Sequence, residues 1–167
     1  MTDIRLEPWG EDDLQLLRMT LGDPEMTKHL GGPESEEKLV ERQGRIERLA
    51  ESGTGHMFKI IDGAAGEAVG SVGYWHRDWR GDEIYEIGWM VIPEFQGRGI
   101  AADATAQAIE HARAEGGRSR IHAFPSVENV PSNAICRKLG FELAGEIEFE
   151  YPPGSVMRCN DWWLDLS

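Results

Sequence analysis

Residues 91–101 run Val91-Ile92-Pro93-Glu94-Phe95-Gln96-Gly97-Arg98-Gly99-Ile100-Ala101, and this segment narrows the available folds more than any other. A strand-like stretch, Asp82 to Ile92, stops at a proline. Two glycines then bracket an arginine, and an alanine-rich helical stretch begins at once. The first backbone N–H groups of a helix lack internal partners and carry the positive end of its dipole. Glycines let a bulky anion approach that backbone closely. Gln96 and Arg98 bring further donors, so the segment has the make-up of a pyrophosphate cradle.

Other glycine-rich loops fit less well. A nucleotide P-loop ends in Gly-Lys-Ser/Thr, which is missing here. Gly97-Arg98-Gly99-Ile100-Ala101-Ala102 does match the degenerate dinucleotide pattern G-x-G-x-x-A. That pattern needs a strand running tightly into the glycines and an acidic residue about 20 positions on, at the end of the next strand. Pro93 to Gln96 intervene, and the next strand-like run, Arg120 to Phe124, ends in Pro125-Ser126-Val127. A plain tight turn into a helix is the remaining structural alternative.

The elements around this loop read as one domain over residues 1–167. Ile4 to Glu7 alternates like a short strand, and Asp12 to Leu21 places Leu14, Leu17 and Leu21 on one helical face. A second helix spans Glu34 to Glu51, with acids in its first turn. Strands follow at His56 to Asp62, Glu67 to His76 and Asp82 to Ile92, separated by turn-forming residues. Ile100 to Glu115 is a helix that stops at Gly116-Gly117. After the strand Arg120 to Phe124, a helix opens near Pro131 and ends before Gly140. Glu142 to Glu150 and Val156 to Leu166 form a closing hairpin across Pro152-Pro153-Gly154. The order β-α-α-β-β-β-α-β-α-β-β is α/β with a mixed central sheet. A chain of 167 residues buries enough surface to fold without disulfides, so Cys136 and Cys159 read as buried thiols in a reducing compartment.

The net charge of −13 argues against nucleic acid and anionic membrane partners. No apolar leader and no apolar run of about 18 residues is present, which makes the cytoplasm the expected compartment. The histidines show no paired ligand spacing, and no metal site is expected.

Two segments together resemble the GNAT superfamily of acyl-CoA-dependent N-acyltransferases. The first is Glu86-Ile87-Gly88-Trp89-Met90-Val91 running into Gln96-Gly97-Arg98-Gly99-Ile100-Ala101, where Gln96, Gly99 and Ala101 match the signature Gln/Arg-x-x-Gly-x-Gly/Ala. The second is Asn129-Val130-Pro131-Ser132-Asn133, closing in Lys138-Leu139-Gly140-Phe141. The form Asn-x-x-Ser-Asn is most similar to the branch that holds the ribosomal-protein N-terminal acetyltransferases and many small-amine acetyltransferases. The element order also matches that fold.

The resemblance implies acetyl-CoA as acyl donor, held by the loop from Gln96 to Ala101 and by backbone N–H groups near Val91. Asn129 would bond the pantetheine and Asn133 the cofactor tail. Glu86 occupies a position where family members carry a base; binding a cationic substrate is its other reading. Many members place a tyrosine where this chain has Cys136, a poor hydrogen-bond donor. In the related branch the serine serves the leaving thiolate, which maps to Ser132; helix capping is its structural alternative.

The implied acceptor is a primary amine, on a small cation or at a peptide N-terminus, with a homodimer as a compatible assembly. Trp75, His76, Trp79 and Tyr85, with Asp78, Asp82, Glu83 and Glu86, are expected around the acceptor pocket, because aromatic walls and acids suit an ammonium. His76 also stands as an alternative base. A longer acyl donor, or a non-catalytic acyl-CoA-binding regulatory module, is the competing function.

Overall fold

The computed structural model describes residues 2–150 and 153–167. Seven strands form one sheet: β1 (Ile4–Pro8), β2 (Gly55–Asp62), β3 (Glu67–Trp79), β4 (Asp82–Val91), β5 (Arg120–Ala123), β6 (Glu142–Glu150) and β7 (Val156–Asp165). Helices α1 (Leu14–Thr20), α2 (Glu36–Ser52), α3 (Ile100–Glu115) and α4 (Val130–Lys138) complete the expected order. A 3-10 turn over Pro93–Phe95, not foreseen from the sequence, carries the chain from β4 to the glycine loop. Among the described residues no helix is long and apolar enough to cross a membrane.

The sheet runs β1-β2-β3-β4-β5-β7-β6. Its pairs are antiparallel except β4 with β5, which α3 connects as a crossover. β3 extends to Trp79, beyond the expected end at His76. It turns into β4 through Arg80 and Gly81, both at positive φ, with Trp79 opposite Asp82. Such a two-residue turn fixes the register of everything behind it. The expected closing turn begins at Pro152, which lies outside the described residues.

Helices cover both faces of the sheet. On one face Leu17 of α1 and Leu39 and Ile46 of α2 pack with Met57 of β2. On the other, Phe58, Val72, Tyr74, Tyr85, Ile87 and Ile121 meet α3. Ala104, Ala108 and Ala112 of α3 are fully buried. Their i, i+4 spacing gives α3 a flat stripe, which lets the helix lie close to the strands. α4 joins this second face through Cys136, and Phe141 just past the helix packs there too. α2 begins at Ser35, whose Oγ accepts from the Lys38 N–H, with Glu36 and Glu37 in the first turn.

Both cysteines are free and buried, as their positions in a helix and a strand suggested. Burial pushes the Cys136 thiol up to about 12. The Cys159 thiol is pushed up to about 11 by burial and by the nearby charge of Glu86.

Candidate active site

β4 and β5 are paired only at Tyr85–Ile121 and Glu86–His122. Beyond that level they diverge, and the edge of β4 facing β5 is left open. The Ile92 N–H donates to Val69 O on β3. Backbone alternation in an antiparallel pair therefore sends even-numbered β4 residues toward β3 and turns Trp89 and Val91 toward the splay. Their N–H groups lie past the last residue that β5 pairs with. Donors on an unpaired strand edge suit a thioester carbonyl and an amide-bearing arm.

The glycine loop follows directly. Gly97 and Gly99 adopt left-handed conformations (φ +77° and +79°), which glycine reaches without a Cβ penalty. The consecutive backbone N–H groups from Gly97 to Ala102 have no acceptor among the described residues. A Cβ at Gly97 would meet nothing within 4 Å, so the space in front of the loop is open. Unpartnered N–H groups at the start of α3 are the donors that a pyrophosphate would require. The side chains contribute differently from expectation. Gln96 Nε2 donates to Val91 O at 2.8 Å, and so closes the turn out of β4. Arg98 Nη2 donates to Glu94 O at 3.1 Å and its guanidinium lies over Phe95. The cradle is therefore made of backbone.

On the far side of the splay, α4 opens after β5. Asn129 Oδ1 accepts from the Ser132 N–H at 3.2 Å, so Asn129 is the cap. The Ser132 hydroxyl has no hydrogen-bond partner among the described residues and is half-buried. Its oxygen does not cap the helix. Asn133 is placed differently from the expected cofactor contact. It is buried, donates Nδ2 to Ser126 O and Asn129 O, and accepts through Oδ1 from Asn160 Nδ2 and Trp162 Nε1, all at 2.8–3.0 Å. Its amide is occupied in holding α4 to the sheet.

Strand alternation sorts the expected acceptor residues. Trp75 stands opposite Glu86, and His76 opposite Tyr85. Neighbours along a strand point to opposite faces. Trp75, Arg77, Trp79 and Glu86 thus share the α1/α2 face, while His76 and Tyr85 share the α3 face. Tyr85 is fully buried in the core with its hydroxyl toward Glu115, and His76 packs on its ring. Neither lies with Glu86.

Glu86 itself is engaged. Its Oε1 accepts from Arg77 Nη1 at 2.5 Å. The Arg77 guanidinium sits over the rings of Trp79, Phe124 and Phe149 at 4.9–5.4 Å. Of the rings expected to face a ligand cation, Trp79 is covered by the chain's own arginine, together with Phe124 and Phe149, which the sequence did not single out. Asp78, expected at the pocket mouth, is highly exposed with Arg118 at 3.9 Å, and Asp82 and Glu83 are exposed at the hairpin. Local acidity around Glu86 is lower than the sequence implied.

A buried pair next to Glu86 was not foreseen. His122, the cross-strand partner of Glu86, places Nδ1 2.6 Å from Asp161 Oδ1 of β7. Asp161 Oδ2 accepts from Trp79 Nε1 at 3.1 Å. Both members are more than nine-tenths buried. They lie 39 positions apart, and no spacing rule joins them.

A second histidine cluster lies on the α3 face. His56 Nε2 is 3.0 Å from Glu115 Oε1; the Tyr74 hydroxyl donates to Glu115 Oε2 at 2.7 Å and lies 2.6 Å from His111 Nδ1. The ligand-type atoms of His56, His111 and Glu115 lie within 4.8 Å of one another, although their spacing shows no pairing. Burial, then His56, lowers the His111 imidazole below its usual value. Burial pushes the Glu115 carboxyl up, but hydrogen bonds from Tyr74, His56 and Tyr85 with the His56 charge outweigh it and hold it below the usual range.

The Acetyltransferase (GNAT) domain model matches residues 3–142 of the chain. An uncharacterized N-acetyltransferase of Bacillus subtilis, YnaD, is 34% identical over 83 residues, which cover 50% of this chain and 46% of that relative. Among solved structures, the ribosomal L7/L12 alpha-N-protein acetyltransferase RimL in complex with coenzyme A superposes with a TM-score of 0.82 at 22% identity. That match covers 99% of this chain and 95% of RimL. Spermidine N-acetyltransferase from Vibrio cholerae, in complex with CoA and spermine, superposes with a TM-score of 0.80 at 17% identity, covering 98% and 96%.

Proposed function

The chain belongs to the GNAT acetyltransferase family, and from that premise we propose that it moves the acetyl group of acetyl-CoA to a primary amine, with donor and acceptor bound together. The observation that carries this reading is the splay between β4 and β5, flanked by the unpartnered N–H groups of Gly97 to Ala102 and by the free hydroxyl of Ser132. Gly97, Arg98, Gly99, Ile100 and Ala101 would hold the pyrophosphate through their backbone, Gln96 bracing the loop. The N–H groups near Val91 would hold the thioester carbonyl, and Asn129 the pantetheine arm through its amide nitrogen. Acetyl-CoA supplies an already activated acyl group, so no covalent enzyme intermediate is needed.

The residues then have separate tasks. Ser132 donates a hydrogen bond to the leaving sulfur, which the buried Cys136 is not placed to do. Glu86 keeps one carboxylate oxygen beyond its contact with Arg77 and accepts from the acceptor ammonium. The acceptor is a cationic small amine or a peptide N-terminus. RimL is an alpha-N-protein acetyltransferase and the Vibrio cholerae neighbour a spermidine N-acetyltransferase, and both kinds of amine suit a chain of net charge −13.

Titration of the protein with acetyl-CoA, followed by thiol-release assays on spermidine, a peptide with a free N-terminus and an anionic amino acid, tests the proposal. Turnover of either cationic acceptor, weakening with added salt, is expected. Binding without turnover of any amine would instead identify an acyl-CoA-binding module. Preference for the anionic amine would overturn the electrostatic part.

A further inference from the structure

We infer that His122, held by Asp161, is the group that takes the proton from the acceptor amine; this rests on the acetyltransferase reading above. Glu86 and His122 form the last paired level before β4 and β5 part, so the two side chains stand together at the apex of the splay on the α1/α2 face. Glu86 is committed to Arg77 at 2.5 Å, and a proton placed on it would leave a guanidinium without its charge partner. His122 is set up differently. Asp161 Oδ1 holds Nδ1 at 2.6 Å, which fixes the proton on Nδ1 and leaves Nε2 with its lone pair.

Nε2 has no hydrogen-bond partner among the described residues. Among the described residues no fully buried side-chain nitrogen or oxygen lacks a partner, so Nε2 retains access to solvent although the residue is only 6% exposed. Asp161 is braced in turn by Trp79 Nε1. The carboxylate thus orients the ring and offsets the charge of the imidazolium that forms, which makes Asp161 a positioning residue. Charged or titratable groups around the pair on this face include Glu86 of β4, Arg77 of β3 and Cys159 of β7, with Arg120 at the start of β5 lying over Trp163, and Lys59 of β2 lies on the same face paired with Asp13.

The proton balance is complete without another reactant. The ammonium gives one proton to Nε2. The neutral amine nitrogen bonds to the acetyl carbon as the carbon–sulfur bond breaks, and its second proton passes to the leaving thiolate. His122 then releases its proton to water. The sum is one amide, one CoA thiol and one proton.

Rates with spermidine and the N-terminal peptide, measured between about pH 6 and pH 9, test this for wild type, His122→Gln and Asp161→Asn. His122→Gln should lower kcat by about 100-fold or more near neutrality, the scale of a lost general base. The deficit should shrink as pH rises and the amine deprotonates unaided, while thermal stabilisation by CoA stays at the wild-type level. Asp161→Asn should displace the acid limb of the profile to lower pH. In the ligand-free protein, nitrogen NMR should show the neutral His122 ring carrying its proton on Nδ1 and its lone pair on Nε2, a preference that weakens in Asp161→Asn. Should Asp161→Asn fail to fold, the wild-type ring tautomer decides. A His122→Gln enzyme with wild-type kcat and profile, a pH-independent loss that tracks a lower Tm, or a neutral His122 ring with its proton on Nε2 would each overturn the inference. A wild type that acetylates no amine overturns the parent reading and this one with it.

Discussion

Replacing Asn133 with alanine separates a structural role from a cofactor role, and the hydrogen bonds around it set the scale. The two carbonyls that receive its Nδ2 keep other donors, because Asn133 N–H also bonds Asn129 O and Asn129 N–H bonds Ser126 O. The donors on its Oδ1 fare worse. Trp162 Nε1 is buried and loses its partner, whereas Asn160 Nδ2 is half-buried and nearer to water. One stranded buried donor costs about 1–3 kcal/mol, and a second, partly wet one adds less. The expected loss is about 2–4 kcal/mol, or roughly 5–15 °C in Tm for a chain of this size. Urea unfolding and thermal melts, each with and without acetyl-CoA, measure it. Saturating ligand should add the same increment to variant and wild type, about 2.7 kcal/mol at a hundredfold excess over Kd. A variant of wild-type stability whose ligand increment has vanished would refute the reasoning and return Asn133 to the cofactor.

Gly99→Ala should lower stability by about 1 kcal/mol through its left-handed φ and keep the thermal shift with CoA, whereas Gly99→Asp should lose the shift by setting a carboxylate in the cradle. Ser132→Ala should lower kcat on the order of tenfold with Tm unchanged, because the hydroxyl has no partner among the described residues and Asn129 caps the helix; Asn129→Ala should cost about 1 kcal/mol of stability. Glu86→Gln should raise acceptor KM by about tenfold at every pH, since it loses one charge-assisted contact to the ammonium, and should leave acetyl-CoA affinity intact. On the α3 face, the folded Glu115 carboxyl and His111 imidazole both lie below their usual values, so each stabilises the fold at neutral pH and loses that contribution as pH falls through its folded value. Acid melts of Glu115→Gln should therefore show a shallower loss of Tm below neutrality than wild type; parallel curves would contradict the assignment.

Local features of the site were legible and their surroundings were not. The glycine loop could be read because its chemistry is contiguous: strand, proline, two glycines, helix. Asn129 and Ser132 could be read for the same reason, being three residues apart on one turn. The acceptor face was harder. Trp75 with His76, and Tyr85 with Glu86, are neighbours in sequence and were grouped together, yet a strand sends them to opposite faces. A turn made of Arg80-Gly81 alone sets Trp79 opposite Asp82 and Trp75 opposite Glu86, and the partition between faces follows from that register. His122 and Asp161 lay beyond any such rule. β7 inserts between β5 and β6, so the pair depends on a strand order that local spacing does not encode.

That strand order also shows how a chain this acidic would hold the proposed anionic donor. β4 and β5 are the sheet's parallel pair, so both deliver their C-terminal ends to the same edge. A helix starts just beyond each of them, α3 at Ile100 and α4 at Val130, and ligands in open α/β sheets bind at such strand ends. Two positive helix ends and a run of unpartnered N–H groups therefore converge on the splay. The carboxylate held at the same level, Glu86, is matched by Arg77, and Asp161 is matched by Trp79 and His122. The net charge of −13 acts at long range and is screened by salt, whereas the backbone dipoles act at contact. Donor binding should therefore change little with ionic strength compared with capture of a cationic acceptor.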